Sequence, residues 1–433
     1  MSSNDPILIV GGGIAGLTCA RSLTRAGHQV LLLEREDELG GRVRTTVRDG
    51  FRIDHGFQVL FSSYPVLTHQ LDLTALDLRA FRPAARIVSG AGDTALIGDA
   101  LSDASLLLPT IMASPLSLLD KLRMLRLRSL ATSLTFDECF ATRFDRLSTR
   151  DFLRQRGFSG KAISNFFSPF YGGILLDRSL ESSASVLLYT FKMLAEGRTM
   201  VPAAGMGAIP AQLAASLPPG AVRTGAAVTR LITESESPGV RGVMLATGEQ
   251  IAATTVVLAC DPPTIASLAI TAHVHVEIPT ASLGCTTAYL RSRSPLLAGD
   301  ALWLNAAPGA TVSHAITISN VAPSYAPRGE SLTAATVLGA AAVLDDAELI
   351  PRIRTDLAMM GGNPESAHSE LLAVWRVPYS QYAQPPGTVG RRVSAVTTVP
   401  GLFLASELWH TSSLEGAARG GIAAADAVMR SAI

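Results

Sequence analysis

Three glycines, Gly11, Gly13 and Gly16, stand at the spacing G-x-G-x-x-G, and an acid, Glu34, follows eighteen positions after the last of them. Glycine at the first position allows a tight turn. At the second it lets a pyrophosphate approach the backbone, and at the third it lets a helix pack on a strand. Free N–H groups and the helix dipole then favour negative phosphate at the helix start. A carboxylate at Glu34 can accept hydrogen bonds from ribose hydroxyls. Farther on, Gly40-Gly41-Arg42 combines close backbone approach with a guanidinium fork suited to phosphate. The chemistry implied is dinucleotide binding. The plain alternative is a flexible turn.

Dinucleotide binding requires that the turn join a buried strand to a helix. Pro6–Val10 is a continuous apolar run, and the helix expected after the turn ends near Gly27. Gln29–Leu33 is a second apolar run, ending at Glu34. The order strand, glycine turn, helix, strand and acid favours the dinucleotide site over a flexible turn. A related module closes the chain. Gly401–Glu407 reads as an apolar strand ending in an acid, and Ser412-Ser413-Leu414-Glu415-Gly416-Ala417 opens a small-residue helix reaching about Met429. Ser412 and Glu415 have capping-box spacing. Gly416, Ala417, Gly420 and Gly421 are expected to leave room for a ring system at the helix start.

At 433 residues the chain exceeds one ordinary core, so two domains are expected. Hydrophobic residues make up 48% and the mean hydropathy is +0.30, yet the longest uncharged apolar stretch, Leu332–Leu344, is too short to cross a bilayer. The first apolar run has no basic segment before it and leads straight into the glycine turn. It is therefore expected to be a fold element and no signal peptide, with the cytoplasm as the default location. Cys19, Cys139, Cys260 and Cys285 lie far apart, which argues against a disulfide framework or a zinc site. No metal is expected. Net charge is zero, so no global field recruits nucleic acid. Only Lys121, Lys161 and Lys192 are lysines, which restricts where a catalytic lysine could be.

From about Leu71 to Leu194 the pattern reads as long helices with few glycines. Within it, Ser105–Leu130 mixes Leu, Ile and Met with Lys121, Arg123, Arg126 and Arg128. Two readings are open: an amphipathic surface that touches a membrane, or a core-facing helix with a basic outer side. Asn165–Gly173 is the densest aromatic cluster and either lines an apolar pocket or packs a core. Ala226–Ile232, Val240–Leu245 and Gln250–Ala259 read as strands, as do Cys285–Leu290, Thr311–Ser319 and Ser331–Leu338. His273 and His275 are expected to alternate on one strand without ligating metal.

The run Gly40-Gly41-Arg42, then Asp54-His55-Gly56-Phe57-Gln58 and an aromatic-rich strand ending in Tyr64-Pro65, resembles the flavin amine oxidase and phytoene desaturase superfamily. Within it, the stretch is most similar to plant-type carotene desaturases and hydroxysqualene dehydroxylases. The C-terminal Ser-Leu-Glu-Gly-Ala run is close to the same superfamily's pattern. The resemblance implies an α/β fold: a discontinuous, Rossmann-like FAD-binding domain (residues 1–70, 200–270 and 396–433) and an α+β substrate domain (71–199 and 271–395). It also implies tightly held FAD as cofactor. Gly11, Gly13, Ile14, Ala15, Gly16, Glu34, Arg35, Gly41 and Arg42 would serve the nucleotide end. Gly56, Phe57 and Gln58 would lie along the isoalloxazine, and the Val228 backbone would touch adenine. Ser406, Glu407, Ser413, Leu414 and Ala417 would complete the second half of the site. Ser406-Glu407 stands where the superfamily often has Gly-Asp.

Two substrate classes compete under that resemblance. Many of the superfamily's amine oxidases place a lysine in a substrate-domain strand, but Thr286–Leu290 has none and no lysine follows Lys192. Monoamine oxidases have an aromatic residue where this chain has Ser413. Dehydrogenation or desaturation of an apolar, isoprenoid-like molecule is therefore preferred, with a quinone or dioxygen as electron acceptor. Amine oxidation and a non-catalytic FAD-binding scaffold are the alternatives. His55, Tyr379, Trp409 and His410 are candidate catalytic residues, since the resemblance puts each near the ring. The 105–130 segment leaves peripheral membrane contact open.

Overall fold

Ile7–Val10 is buried along its whole length and forms a strand, as a parallel strand covered on both faces must. The computed structural model describes residues 5–431 apart from 91, 234–238, 275, 277 and 280. Among the described residues, Ile7–Val10 sits at the centre of a five-stranded parallel sheet. The strand order is Val222–Arg223, Val30–Leu33, Ile7–Val10, Val256–Leu258, Leu402–Leu404. Three distant parts of the chain thus supply one sheet, with Ile9 paired to Leu32 on one side and Val257 on the other. Helices Ile14–Arg25 and Leu414–Ser431 pack on each other over this sheet. The architecture is α/β and Rossmann-like.

Gln250–Ala259, expected as one strand, is two. Gln250–Ala252 pairs antiparallel with Val240–Leu245, whereas Val256–Leu258 joins the parallel sheet. The break follows polarity. Gln250–Ala252 is partly exposed and Val256–Leu258 wholly buried, so the two halves suit different sheets.

A second, seven-stranded sheet runs Glu370–Tyr382, Ser282–Ser292, Ser331–Leu338, Val312–Thr317, Leu302–Asn305, Ala84–Gly90, Asp93–Gly98. Its last two strands correct the expectation that long helices fill the stretch from about Leu71. Ala84–Gly90 pairs in parallel with Leu302–Asn305 and turns back antiparallel into Asp93–Gly98. Helices then follow, among them Leu107–Met112, Leu118–Ser133, Ser168–Leu175 and Ala184–Glu196. His273 lies in a turn at φ +57° after helix Pro262–Ile270, and not on a strand. His275 lies outside the described residues.

Candidate active site

The glycine turn is fixed by its own contacts. Gly11 has φ +112°, and a Cβ there would lie 2.7 Å from the Ala259 carbonyl oxygen. A Cβ on Gly16 would lie 2.0 Å from the Gly11 oxygen, so the third glycine seats the helix on the strand. Gly13 differs: a Cβ there meets nothing within 4 Å, because the position opens into a cavity. Glu34 is buried. It accepts the Gly12 N–H at 2.7 Å and the Glu36 N–H at 3.0 Å, which orients its carboxylate at the end of the second strand.

Arg42 ties the two ends of the chain together. Its Nη2 donates to Glu407 Oε1 at 2.8 Å and its Nη1 to the Ser380 carbonyl at 2.7 Å. Gln58 donates to the Arg42 carbonyl, and Ser412 donates to the other oxygen of Glu407. Asp54 does comparable work beneath the Gly56–Gln58 turn. It accepts from Thr45 Oγ1, the Met206 N–H and the Tyr325 hydroxyl, and burial pushes its carboxyl up to about 6.

The start of helix Leu414–Ser431 departs from the expected capping box. Ser413 Oγ, and not Ser412, accepts the Gly416 N–H at 2.9 Å. Glu415 is fully buried and reaches away from its own helix start to accept the Val66 and Leu67 N–H groups, with Arg419 donating to it. Nor do the helix glycines make room for a ring. A Cβ on Gly416, Gly420 or Gly421 would strike the carbonyl of Thr411, Ser406 or Ala15. They permit close packing of backbone on backbone, and of the four small residues only Ala417 faces the cavity.

These elements enclose a cavity of about 640 Å³. Gly11, Gly13, Ile14, Ala15, Glu34, Arg35, Gly41, Arg42, Gly56, Phe57, Gln58, Val228, Ser406, Glu407, Ser413, Leu414 and Ala417 line it, with Gly16 behind them. His55 lines it too, stacked on Trp375 with ring centroids 3.7 Å apart and Nε2 2.8 Å from Thr46 Oγ1. Burial, with Arg44 second, pushes its imidazole down to about 4, so His55 is neutral at neutral pH. Tyr379, Trp409 and His410 do not line the cavity. His410 packs between Phe136 and Phe140 at 4.6 and 4.5 Å, and burial, then Arg392 and Arg419, hold its imidazole down at about 2. The Tyr379 hydroxyl is buried without a partner.

Other lining residues carried little sequence signal. His314 sits in the buried strand Val312–Thr317, its ring 5.4 Å from Phe57, and burial and Arg178 push it down to about 4. A single histidine in an apolar run gives no pattern to read. The aromatic cluster divides: Phe170 and Gly173 line the cavity, whereas Phe166, Phe167 and Tyr171 are buried in packing.

The residues present fit FAD. The cavity runs from the glycine turn, past Glu34 and Arg42, to the Gly56–Gln58 turn and the start of the C-terminal helix. Two buried donors on its wall, Arg44 Nε and Trp375 Nε1, have no partner within the protein. Fold and site together define a dinucleotide-binding α/β protein whose cavity fits FAD.

Comparison with known proteins agrees. The family described as "Flavin containing amine oxidoreductase" matches residues 14–429, and the chain belongs to that family. Polyamine oxidase 2 of Arabidopsis thaliana is 42% identical over 57 residues, which is 13% of this chain and 12% of that protein. The 15-cis-phytoene desaturase of Synechococcus elongatus is 42% identical over 60 residues, 14% of this chain and 13% of that protein. Each match thus spans about an eighth of the relative's length. Putrescine oxidase bound to putrescine superposes with a TM-score of 0.71 at 18% identity, covering 98% of this chain and 99% of that one, which speaks for the fold. The cofactor is FAD, and the family is one of flavin-containing oxidoreductases.

Proposed function

We propose that the chain dehydrogenates or desaturates a small apolar, isoprenoid-like substrate. One observation carries the reading. Among the described residues, the part of the cavity wall drawn from residues 71–199 and 271–395 holds no Asp, Glu or Lys. That wall includes Phe170, Ile174, Leu175, Val186 and Leu302, and its polar features include His314, Thr336, Cys285, Gln381 and the cationic Arg376. An ammonium group entering there would lose water without meeting a carboxylate, at a cost of several kcal/mol. An apolar chain would gain by the same desolvation. Bound FAD supplies a two-electron acceptor that takes hydride at N5.

The protein's own part is binding, orientation and exclusion of water. Glu34 and Arg42 would hold the nucleotide, while Gly56, Phe57 and Gln58 would flank the ring. The Val228 backbone would meet the adenine. Residues 1–70, 200–270 and 396–433 would act as the FAD-binding unit and the remainder as the substrate unit. Electrons would pass on to a quinone or dioxygen, and the setting we infer is cytoplasmic. His55 and His314, both neutral near pH 7, are the titratable imidazoles on the wall.

Amine oxidation with dioxygen is the second reading, supported by the polyamine oxidase match. Anaerobic mixing with isoprenoids in detergent and with simple amines separates the two. Bleaching of the bound flavin by isoprenoids supports the first reading, and rapid bleaching by an amine supports the second.

A further inference from the structure

In sequence Ser105–Leu130 reads either as a core-facing helix or as an exposed amphipathic surface, and in the structure most of its leucines face outward while Leu106, Leu116 and Leu127 are buried. Among the described residues, nine of the thirteen exposed large apolar side chains fall between Leu101 and Leu125. Leu107, Leu108, Ile111 and Met112 project from helix Leu107–Met112, and Leu118, Leu119, Leu122 and Leu125 from helix Leu118–Ser133. Leu118, Leu122 and Leu125 share one helical face, opposite the buried Asp120, Leu127 and Ala131.

This orientation is held in place. Ser117 caps the second helix through the Asp120 N–H, and Asp120 accepts from the N–H and hydroxyl of Ser159. Lys121 Nζ donates to the Ile111 and Ala113 carbonyls at 2.6 and 3.0 Å, joining the two helices. The leucines therefore cannot roll inward without breaking a buried carboxylate's partners.

Charge distinguishes among occupants. Within Leu101–Leu125 the acids are Asp103, paired with Arg82, and Asp120, which is fully buried. Lys121, Arg123, Arg126 and Arg128 punctuate the leucines of the second helix, Arg123 pairing with Asp120 and Arg128 with Asp99. A second copy docked on this face would set these cations against their own equivalents. The nine side chains include no aromatic residue, the usual anchor of a protein interface. Short leucine-rich helices with basic residues at their edge match a lipid–water interface, and most closely one bearing anionic lipid.

We propose that Leu101–Leu125 is a docking surface for an anionic bilayer, entered by its leucines to headgroup depth without crossing it. Helix Leu118–Ser133 packs on helix Ala184–Glu196, whose Val186, Tyr189 and Thr190 line the cavity. Docking would therefore bring the substrate cavity within one helix layer of the bilayer. The purpose of the surface rests on the apolar-substrate reading, but its existence does not.

The test is co-sedimentation of the full flavoprotein with vesicles of phosphatidylcholine, alone and mixed with phosphatidylglycerol. Wild type should sediment with the mixed vesicles, more weakly as salt rises. Leu108→Asp/Leu119→Asp/Leu122→Asp should lower the bound fraction at least about tenfold while flavin content and melting temperature stay at wild-type values. Arg126→Gln should weaken binding about threefold to fivefold on anionic vesicles only. Failure of wild type to sediment with either vesicle would overturn the proposal. So would unchanged binding of the triple variant, or a dimer that the triple variant splits without any vesicle binding. Because sedimentation reads no turnover, a wrong substrate assignment would leave these results untouched.

Discussion

Arg42 Nη2 donates to Glu407 Oε1 at 2.8 Å, joining residues 365 positions apart. Glu407 is 5% exposed and Arg42 a third exposed, and both line the cavity. Removing the guanidinium leaves a mostly buried carboxylate short of its partner. Arg42→Ala should cost about 1–3 kcal/mol, less than the loss of a fully buried pair because water reaches the arginine side. It should also speed flavin release. Thermal melting with and without added FAD checks this, and a variant as stable and as flavinated as wild type would contradict it.

Gly13 gives a cleaner separation of folding from cofactor retention. A side chain there meets no protein atom within 4 Å but fills the space in front of the turn. Gly13→Val should therefore keep its melting temperature in the apo form and purify without yellow colour. Full flavination would show that the turn does not hold the diphosphate.

Asp54 predicts a pH effect. Its folded pKa, about 6, lies above the unfolded 3.8, so the native state binds the proton more tightly than the unfolded chain. Its stabilising contribution is then complete below 3.8 and lost as pH rises through about 6. Asp54→Asn cannot titrate. Relative to that variant, wild type should lose about 1–3 kcal/mol across this window as pH rises. Parallel stability curves for the two proteins over the window would refute the assignment.

Glu415 should matter for stability more than its place in the Ser-Leu-Glu-Gly-Ala run indicates. It is fully buried and accepts from the Val66 and Leu67 N–H groups and from Arg419. Glu415→Ala strands all of these donors and should cost about 3–5 kcal/mol. Glu415→Gln should cost less. Denaturant midpoints decide, and a change within about 0.5 kcal/mol would mean these contacts carry little.

The legible parts of this fold were those with a strong local requirement. Gly11 and Gly16 could be read because a Cβ at either would strike backbone, and that constraint leaves a motif in the sequence. The strand Ile7–Val10 could be read because burial on both faces gives an unbroken apolar run. Less legible were choices made by distant partners. The acid at Glu415 had the spacing of a cap, but the Val66 and Leu67 N–H groups claim it from 348 or more residues away. Gly420 and Gly421 looked like space for a ring, yet the Ser406 and Ala15 backbones occupy that space. Ala84–Gly90 falls in a stretch whose sequence pattern suggests helices, because its pairing with Leu302–Asn305 has no local trace. His410 resembled a site residue by position alone, while Phe136 and Phe140 hold it in the core. His314 reaches the cavity from a strand that carries no motif.

On the proposed function, this cavity presents an apolar substrate to FAD. Anaerobic reduction of the purified flavoprotein, followed at the flavin's visible band, tests it most directly. Bleaching is expected with an isoprenoid presented in detergent or vesicles, and little or none with putrescine or other simple amines. Rapid bleaching by an amine, with isoprenoids inert, would contradict it.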